Sequence, residues 1–331
     1  MVGQETSDSG ARVPCEALMV KRFRRSAAGY DEQLPSDIRP PAVLKKTLDY
    51  LFEGVIGGPE LLATVHKFVW DRTRGIRNDF SIQQVSKTED LRIAIDCFER
   101  IARFHILSLH QLSRRNAKDI EFDHHQEREQ LNNTLLSLMY YYDDSRHKLT
   151  SPNEAEFRAY CIIFEIQDQR PDLEDRAQNW PRSILRDQLV QTALKLYGAA
   201  ANTSDEQGPL RPRTAFSTAQ ANAGGFWNLV RSNAVSYMMA CVAEIYFNLV
   251  RSTALEAIWN AYKVKRGGSA KVEDWILRDL TVALGFDDQD QTATFCEEHE
   301  FEVLENDRGE GYVDLGSIVG GHLKGQSSLL K

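Results

Sequence analysis

The sequence predicts an all-α fold, in which a TPR-like array of paired helices (an α-solenoid) is followed by a C-terminal winged helix. Apolar residues recur at helical spacing over most of the chain after residue 40. The 331 residues include only 10 prolines and 20 glycines, too few for a β-sandwich or a disordered chain of this size. No repeat of fixed period is found, so the helix pairs would be degenerate repeats.

The first part of the chain divides into an irregular segment and the predicted array. Residues 1–40 are polar, then basic, then punctuated by prolines, and are predicted to pack on the array. The array is predicted over residues 41–266. Its first helix stops at Gly57-Gly58, its second opens at Pro59, and its third runs from Thr88 to Ser113. Further helices are predicted near residues 127–146, 153–168, 182–200, 214–230, 232–250 and 253–265.

The pattern changes in residues 267–320. A helix closed by Gly285 precedes a short helix over about 290–298, in which Phe295 and Cys296 turn inward. Alternating apolar and polar residues then indicate two strands on either side of a turn at 306–311. Helix, helix and hairpin in this order predict the back half of a winged helix. Residues 321–331 are predicted to be a tail.

Composition indicates a chain of the nucleus or cytoplasm. Hydrophobic residues make up 42% and charged residues 27%, which is ordinary for a soluble globular protein. The five cysteines are scattered without CxxC spacing, which is typical of a reducing compartment. No signal-peptide pattern is expected at the N-terminus. The most apolar stretch, residues 235–250, carries Glu244 and Asn248 and is predicted to be a buried helix and not a membrane span.

Charge is distributed unevenly along the chain. The formal net charge is -8, which argues against a chain that coats nucleic acid unaided. Residues 21–118 carry 18 Lys and Arg against 12 Asp and Glu, whereas residues 119–331 carry 21 against 33. A basic front part and an acidic back part predict two kinds of surface.

No catalytic motif is found, so the sequence predicts a protein that is not an enzyme and that uses no cofactor. The patterns GxxxxGK[ST], GxGxxG, HExxH and GxSxG are all absent. His124 and His125 lie near Glu121 and Asp123, but adjacent histidines on a helix point about 100° apart and rarely share a metal. A solvated polar patch is the favoured interpretation, and no metal site is predicted.

Two basic and aromatic motifs each allow two interpretations. Lys21, Arg22, Arg24 and Arg25 surround Phe23, either as a nuclear-localisation or phosphate-contacting patch or, as favoured, as a segment held by acidic neighbours with Phe23 as its packing anchor. Trp70, Arg74 and Arg77 fall on one helix stripe. That stripe is either an exposed site for nucleic acid or protein, or, again favoured, a buried cluster that fixes the helix to the N-terminal segment.

The charge of the predicted winged helix favours a protein partner over nucleic acid. Residues 279–307 contain ten Asp and Glu and no Lys or Arg, so a helix here would be repelled by DNA. We therefore predict a partner-docking surface, formed by Asp290, Glu297, Glu298, Phe301, Val303 and Tyr312. Nucleic acid would instead meet a preceding basic stretch, for which an ordinary solvated linker is an equal alternative. That stretch comprises Lys263, Lys265, Arg266, Lys271 and Arg278.

Two segments carry a resemblance to a known family. KRFRRSAAGYDEQLPSDIRPPAVLKKTLDYLF (21–52) and FVWDRTRGIRNDFSIQ (68–83) closely resemble the signature of the GANP/Sac-three family, the scaffold subunits of the TREX-2 mRNA-export complex. The rest of the chain resembles that family's middle region in its layout of helical array and winged helix, which looks like a PCI domain.

The resemblance implies a nuclear protein at the pore basket that couples transcription to mRNA export. It implies a second PCI-domain subunit, carrying a small acidic Sem/DSS-type protein, and a composite surface on the two PCI subunits that binds RNA or DNA. A DEAD-box mRNA-export helicase is a further implied partner, and no membrane is implied. The alternative is a PCI scaffold of a proteasome-lid-like or translation-initiation-factor-like assembly, without nucleic-acid binding.

Overall fold

The computed structural model describes residues 4–6, 12–14, 19–24, 34–113, 122–166, 172–201, 223–263 and 274–315. It is mostly helical, so the predicted all-α class is confirmed. None of the helices in these ranges is long and apolar enough to cross a bilayer. The chain forms two compact units, residues 1–157 and 158–331, and this division falls inside the segment predicted as one array. The predicted boundaries after residues 40, 266 and 320 stay predictions.

The N-terminal unit is built on four helices. A short antiparallel hairpin precedes them, formed by strands β1 (Gln4–Thr6) and β2 (Arg12–Pro14) in a segment predicted to be irregular. The second predicted helix begins at Leu62 instead of Pro59, because residues 58–60 form a bend. After a 3-10 turn at Pro35–Asp37, the helices are α1 (Pro41–Asp49, continuing as a π-helix over Tyr50–Ile56), α2 (Leu62–Gln83), α3 (Thr88–Leu112) and α4 (His124–Ser145).

Helix α3 forms the core of this unit. Its predicted apolar face is buried throughout, at Leu91, Ile95, Phe98, Ala102, His105 and Leu109. Glu99 contacts Tyr142 near one end of α4, and His105 contacts Glu127 near the other, so α3 and α4 run antiparallel. The apolar spacing alone was sufficient to place this helix, since its 3.6-residue period leaves one continuous stripe for the core.

A buried carboxylate joins α3 to the next two segments. Glu99, only 3% exposed, accepts hydrogen bonds of 2.7 Å from the Tyr142 hydroxyl, the Ser151 hydroxyl and the Asn153 side-chain amide. Burial and the neighbouring Glu99 charge raise the pKa of Tyr142 well above its usual range, so its hydroxyl remains a donor. Three donors compensate the loss of water around the carboxylate, which fixes the loop that leads into the next helix.

The second unit contains shorter helices and a hairpin. The helix predicted over 182–200 is interrupted at Arg186-Asp187. The predicted break near residues 251–253 is found instead at residues 245–246, between two helices. The elements are α5 (Glu154–Phe164, which spans the division between units), α6 (Asp172–Gln178), α7 (Arg182–Leu185), α8 (Gln188–Ala201), α9 (Ala223–Val230), α10 (Tyr237–Glu244) and α11 (Phe247–Lys263).

The last described part of the chain, residues 274–315, is here named the helix–hairpin module. It consists of α12 (Leu277–Leu284), α13 (Gln289–Glu298) and the antiparallel strands β3 (Glu302–Glu305) and β4 (Gly311–Asp314). Ile276 adds an antiparallel bridge to Tyr312. Helix, helix and hairpin therefore follow in the predicted order, and Gly285 ends α12 in a left-handed conformation, as expected.

An arginine ties the helix–hairpin module to the helices before it. Arg251 on α11 donates to the carbonyls of Leu284 and Gly285, and its guanidinium lies 3.8 Å from the centre of the Phe286 ring and 5.5 Å from that of Trp227. Trp227 on α9 lies so close to Gly285 that a Cβ there would come within 2.5 Å of the indole ring. The end of α12 is therefore held by stacking, hydrogen bonds and close packing together.

Replacing Gly285 by alanine tests this packing. Gly285→Ala is expected to lower the free energy of unfolding by about 2–5 kcal/mol, since it adds a clash with Trp227 to the strain of a left-handed residue. Gly309→Ala is the matched control, because Gly309 has a φ of +73° but no atom within 4 Å of the added Cβ. The control should lose only about 1–2 kcal/mol in urea unfolding. Equal losses in the two variants would contradict the role given to Trp227.

Candidate interaction surfaces

The basic segment of residues 19–24 is fixed to α2 by a buried carboxylate. Asp79 is fully buried and pairs with the Lys21 ammonium at 3.0 Å and with Arg39 Nε at 2.7 Å. The Arg39 backbone amide adds a third donor to the same carboxylate at 3.3 Å. A buried charge without partners is strongly destabilising. The fold therefore requires Lys21 and Arg39, which are distant from Asp79 in the sequence, to stay paired with it.

The aromatic members of the two sequence motifs meet at one arginine. The Arg74 guanidinium lies 4.1 Å from the centre of the Phe23 ring and 4.7 Å from that of Trp70. The backbone amide of Phe23 donates to Asp71 at 3.2 Å. This geometry agrees with the favoured interpretation, in which acidic neighbours hold the segment and Phe23 anchors it. Arg22 and Arg24 are exposed, and Arg25 lies outside the described residues.

The Arg77 side chain turns away from Trp70 and Arg74 and towards α4. Its Nη2 donates to the Gln130 side chain, while its Nε is buried and has no hydrogen-bond partner within the described residues. Burial lowers the pKa of Arg77 to about 10, and Arg74 acts in the same direction, so the side chain stays charged at neutral pH. The three residues predicted to share one surface therefore divide into a half-buried pair, Trp70 and Arg74, and an inward arginine.

Arg74 and Arg77 line a cleft of about 480 Å³ between α2 and α4. Phe98 of α3 and Gln130 lie at its base, and both are buried. Its other lining residues are partly or fully exposed: Phe23, Asn78, Ser81, Glu129, Asn133, Ser137, Tyr140, Tyr141 and Asp144. The sequence did not predict this cleft, since its two walls come from helices more than 40 residues apart.

A second buried carboxylate lies close to Arg77. Glu127 contacts His66 Nε2 at 3.1 Å and His105 Nδ1 at 2.7 Å, and all three side chains are buried. Burial lowers the pKa of His105, an effect that Glu127 only partly opposes. Burial alone would raise the pKa of Glu127, but His105 and His66 lower it overall. No group of three His, Cys, Asp or Glu side chains among the described residues is arranged to hold a metal ion.

The helix–hairpin module presents exposed carboxylates, but two of the apolar residues predicted for its docking surface lie on the inner side. Asp290, Glu297 and Glu298 are exposed, as expected. Phe301 is a correction, because it is only 3% exposed and belongs to the interior. Val303 is opposite Val313, which is fully buried, so it shares the inner face of the hairpin.

The outer face of the hairpin carries a different pair. Leu304 stands directly opposite Tyr312, so the two share that face, and Leu304 is 40% exposed. Val282 on α12 is 65% exposed as well. The strand alternation itself is the signal for Leu304, because it places Leu304 on the opposite face from Val303.

The proposed basic stretch is only partly described. Arg278 is exposed and its Nε lies 3.3 Å from Asp279, which compensates part of its charge. Lys263 is the last residue of α11. Lys265, Arg266 and Lys271 lie outside the described residues, so the grouping of this stretch stays a prediction.

Comparison with known proteins decides the family. The SAC3/GANP family matches residues 3–305, which include both signature segments, most of each compact unit and most of the helix–hairpin module. The chain belongs to the SAC3/GANP family. The family expected from residues 21–52 and 68–83 is therefore confirmed.

Relatives of this SAC3/GANP chain come from fungi, plants and animals. SAC3 family protein 1 of Schizosaccharomyces pombe is 41% identical over 304 residues, which cover 91% of this chain and 28% of that protein. SAC3 family protein B of Arabidopsis thaliana and Protein xmas of Drosophila melanogaster are each 27% identical over 90% and 89% of this chain. The chain spans only 28%, 16% and 13% of the three relatives' lengths.

Removing the Asp79 carboxylate tests how the basic segment is held. Asp79→Ala is expected to cost about 3–5 kcal/mol of folding free energy, because it leaves Lys21 and Arg39 without their buried partner. Trypsin should then cleave after Lys21, Arg22 and Arg24 faster than in the wild type. Asp71→Ala, which removes a half-exposed acceptor, should cost only about 1 kcal/mol. A variant lacking Asp79 that resists trypsin as the wild type does would contradict this anchoring.

Acidification tests the buried histidine. Because the pKa of His105 in the folded protein lies below the ordinary 6.5, the unfolded chain takes up this proton first as the pH falls. Wild-type stability should therefore decrease below pH 6.5, with His105 contributing about 1 kcal/mol over the first pH unit. His105→Gln should lose less stability between pH 7 and pH 5.5 than the wild type, as measured by urea unfolding. Parallel pH profiles would rule out this contribution.

Proposed function

We propose that this chain is the PCI region of a non-catalytic scaffold subunit of the TREX-2 complex, which couples transcription to nuclear mRNA export. The observation that carries the proposal is the SAC3/GANP match over residues 3–305. The two signature segments lie within it, and the segment 21–24 is held on α2 through Asp79 and Asp71. The family match favours mRNA export over the alternative of a PCI scaffold in a proteasome-lid-like or initiation-factor-like assembly.

Within this proposal the helix–hairpin module docks the second PCI-domain subunit, which carries a small acidic Sem/DSS-type protein. The outer face of the hairpin offers Leu304 and Tyr312, with exposed carboxylates at Asp290, Glu297 and Glu298 nearby in the sequence. An apolar centre beside acidic groups suits a partner with a complementary apolar patch and a basic rim. Nucleic acid would be repelled by the same carboxylates, so a protein is the better occupant.

RNA or DNA would bind a composite surface shared by the two PCI subunits. The chain carries a net charge of -8, and its exposed Arg278 is paired with Asp279. A stable phosphate-binding surface needs several cations in one groove, so the partner would supply part of them. From this chain, Arg278 and the stretch with Lys263, Lys265, Arg266 and Lys271 would contribute. A DEAD-box export helicase is a further proposed partner, and the nuclear pore basket is the proposed location.

A salt titration of RNA binding tests the proposal. The purified chain, the second PCI subunit with its small acidic protein, and the assembled complex would be titrated into a fluorescent oligo(U) 15-mer between 50 and 200 mM KCl. We expect weak binding by the chain alone and tight binding by the complex. If the joined surface contacts about four or more phosphates, the slope of log K against log salt should be about -3 or steeper.

Matched variants separate docking from RNA binding. Leu304→Asp, at a residue 40% exposed on the hairpin, should weaken assembly and with it RNA binding by at least about tenfold. Val43→Asp is the control, because Val43 is 42% exposed on α1 of the other unit. Equal RNA affinity of the isolated chain and the complex would overturn the composite surface. Failure to assemble with the PCI subunit would overturn the TREX-2 assignment.

A further inference from the structure

The cleft between α2 and α4 has an arginine at its base, Arg77, with one donor that no hydrogen bond within the described residues satisfies. The Nε of Arg77 is buried and unpartnered, although Nη2 of the same guanidinium is bound to Gln130. An arginine fork with one donor satisfied and one left open in a buried position suits an incoming carboxylate or phosphate oxygen. Leaving that N–H without a partner costs free energy, which a bound anion would recover.

A second cation, that of Arg74, lies at the same cleft. Arg74 lines the cleft and stacks on Phe23 and Trp70, at 4.1 Å and 4.7 Å from the ring centres. Stacking on two rings restricts the side chain before any ligand binds, so little rotamer freedom is left to lose. Arg74 and Arg77 are three residues apart on one helix, which places their guanidinium groups within reach of one anionic group.

The walls of the cleft carry groups that match a peptide backbone. Asn78 on α2 and Asn133 on α4 both line it, and neither side-chain amide forms a hydrogen bond with another described residue. A side-chain amide offers one acceptor and two donors, the same groups that an extended backbone presents in alternation. Tyr140, 68% exposed, adds an aromatic surface at the rim.

The charges at the rim distinguish between two classes of anionic ligand. Glu129 and Asp144 are exposed and line the same cleft as the two arginines. A nucleic-acid strand carries a phosphate at every residue and would meet these carboxylates as well as the cations. A peptide with a single acidic side chain can pair that side chain with the arginines at the base. Its neutral or basic flanking residues then avoid repulsion by the carboxylates at the rim.

We propose that this cleft binds an extended segment of a partner protein, in which one Asp or Glu side chain pairs with Arg77 and Arg74 while Asn78 and Asn133 bind the backbone. The site lies wholly in the N-terminal unit and involves no residue of the helix–hairpin module, so it is separate from the docking surface proposed above. It gives the scaffold a second protein contact, of different chemistry from the first.

Peptide arrays test the proposal on the intact chain. The probes are fluorescent ten-residue peptides of varied sequence with a fixed central Glu, and a second set that carries Gln at that position. We expect a subset of the Glu peptides to bind, with at least about tenfold preference over their Gln counterparts, as the loss of a charge-assisted pair implies. A fluorescent oligo(U) ten-mer is titrated in parallel.

Two variants connect binding to the cleft. Arg77→Gln should reduce the preference for Glu to about twofold or less, whereas Arg92→Gln, at an exposed arginine of α3 outside the cleft, should leave it unchanged. Asn133→Asp adds a negative charge at the exposed rim, so it should weaken the Glu peptides more than the Gln peptides even if Arg77→Gln fails to fold. No preference for Glu in the wild type would overturn the proposal. Oligo(U) binding that Arg77→Gln abolishes would overturn it in favour of nucleic acid.

Discussion

The N-terminal unit depends on one constraint, namely that a buried carboxylate must be surrounded by donors. Asp79, Glu99 and Glu127 are each 3% exposed or less, and each is contacted by residues from other segments of the chain. An unpartnered carboxylate in such positions would cost several kcal/mol. The three groups therefore specify which segments pack together. Asp79 joins residues 21 and 39 to α2, Glu99 joins α4 and the following loop to α3, and Glu127 joins α2 and α3 to α4.

The same constraint accounts for part of the excess of Lys and Arg in the front part of the chain. Many of its cations are used inside the fold: Lys21 and Arg39 on Asp79, Arg100 on Asp49 and Arg103 on Glu156. Arg74 and Arg77 are held against rings and Gln130. Part of the excess of Lys and Arg along this sequence therefore reflects pairing within the fold, so the net charge of a segment is a weak guide to its partners.

The sequence could predict elements whose signal is local, and it failed where the deciding contact is distant. The apolar period of α3 and the glycine that ends α12 were sufficient to place both features. The pairings of Glu99 and Asp79 span 40 to 58 residues and leave no local pattern. On the hairpin, Val303 was assigned to the docking surface in place of Leu304, although the two lie on opposite faces of one strand.

Arg251 extends this reasoning to the second unit. It binds two carbonyls at the C-terminal end of α12, where the helix dipole favours a cation, and stacks on the rings of Trp227 and Phe286. Burial lowers its pKa to about 10, so it remains charged at neutral pH. It is therefore committed to positioning the helix–hairpin module. Used in this way, Arg251 does not add to the cations that are proposed to contact phosphate.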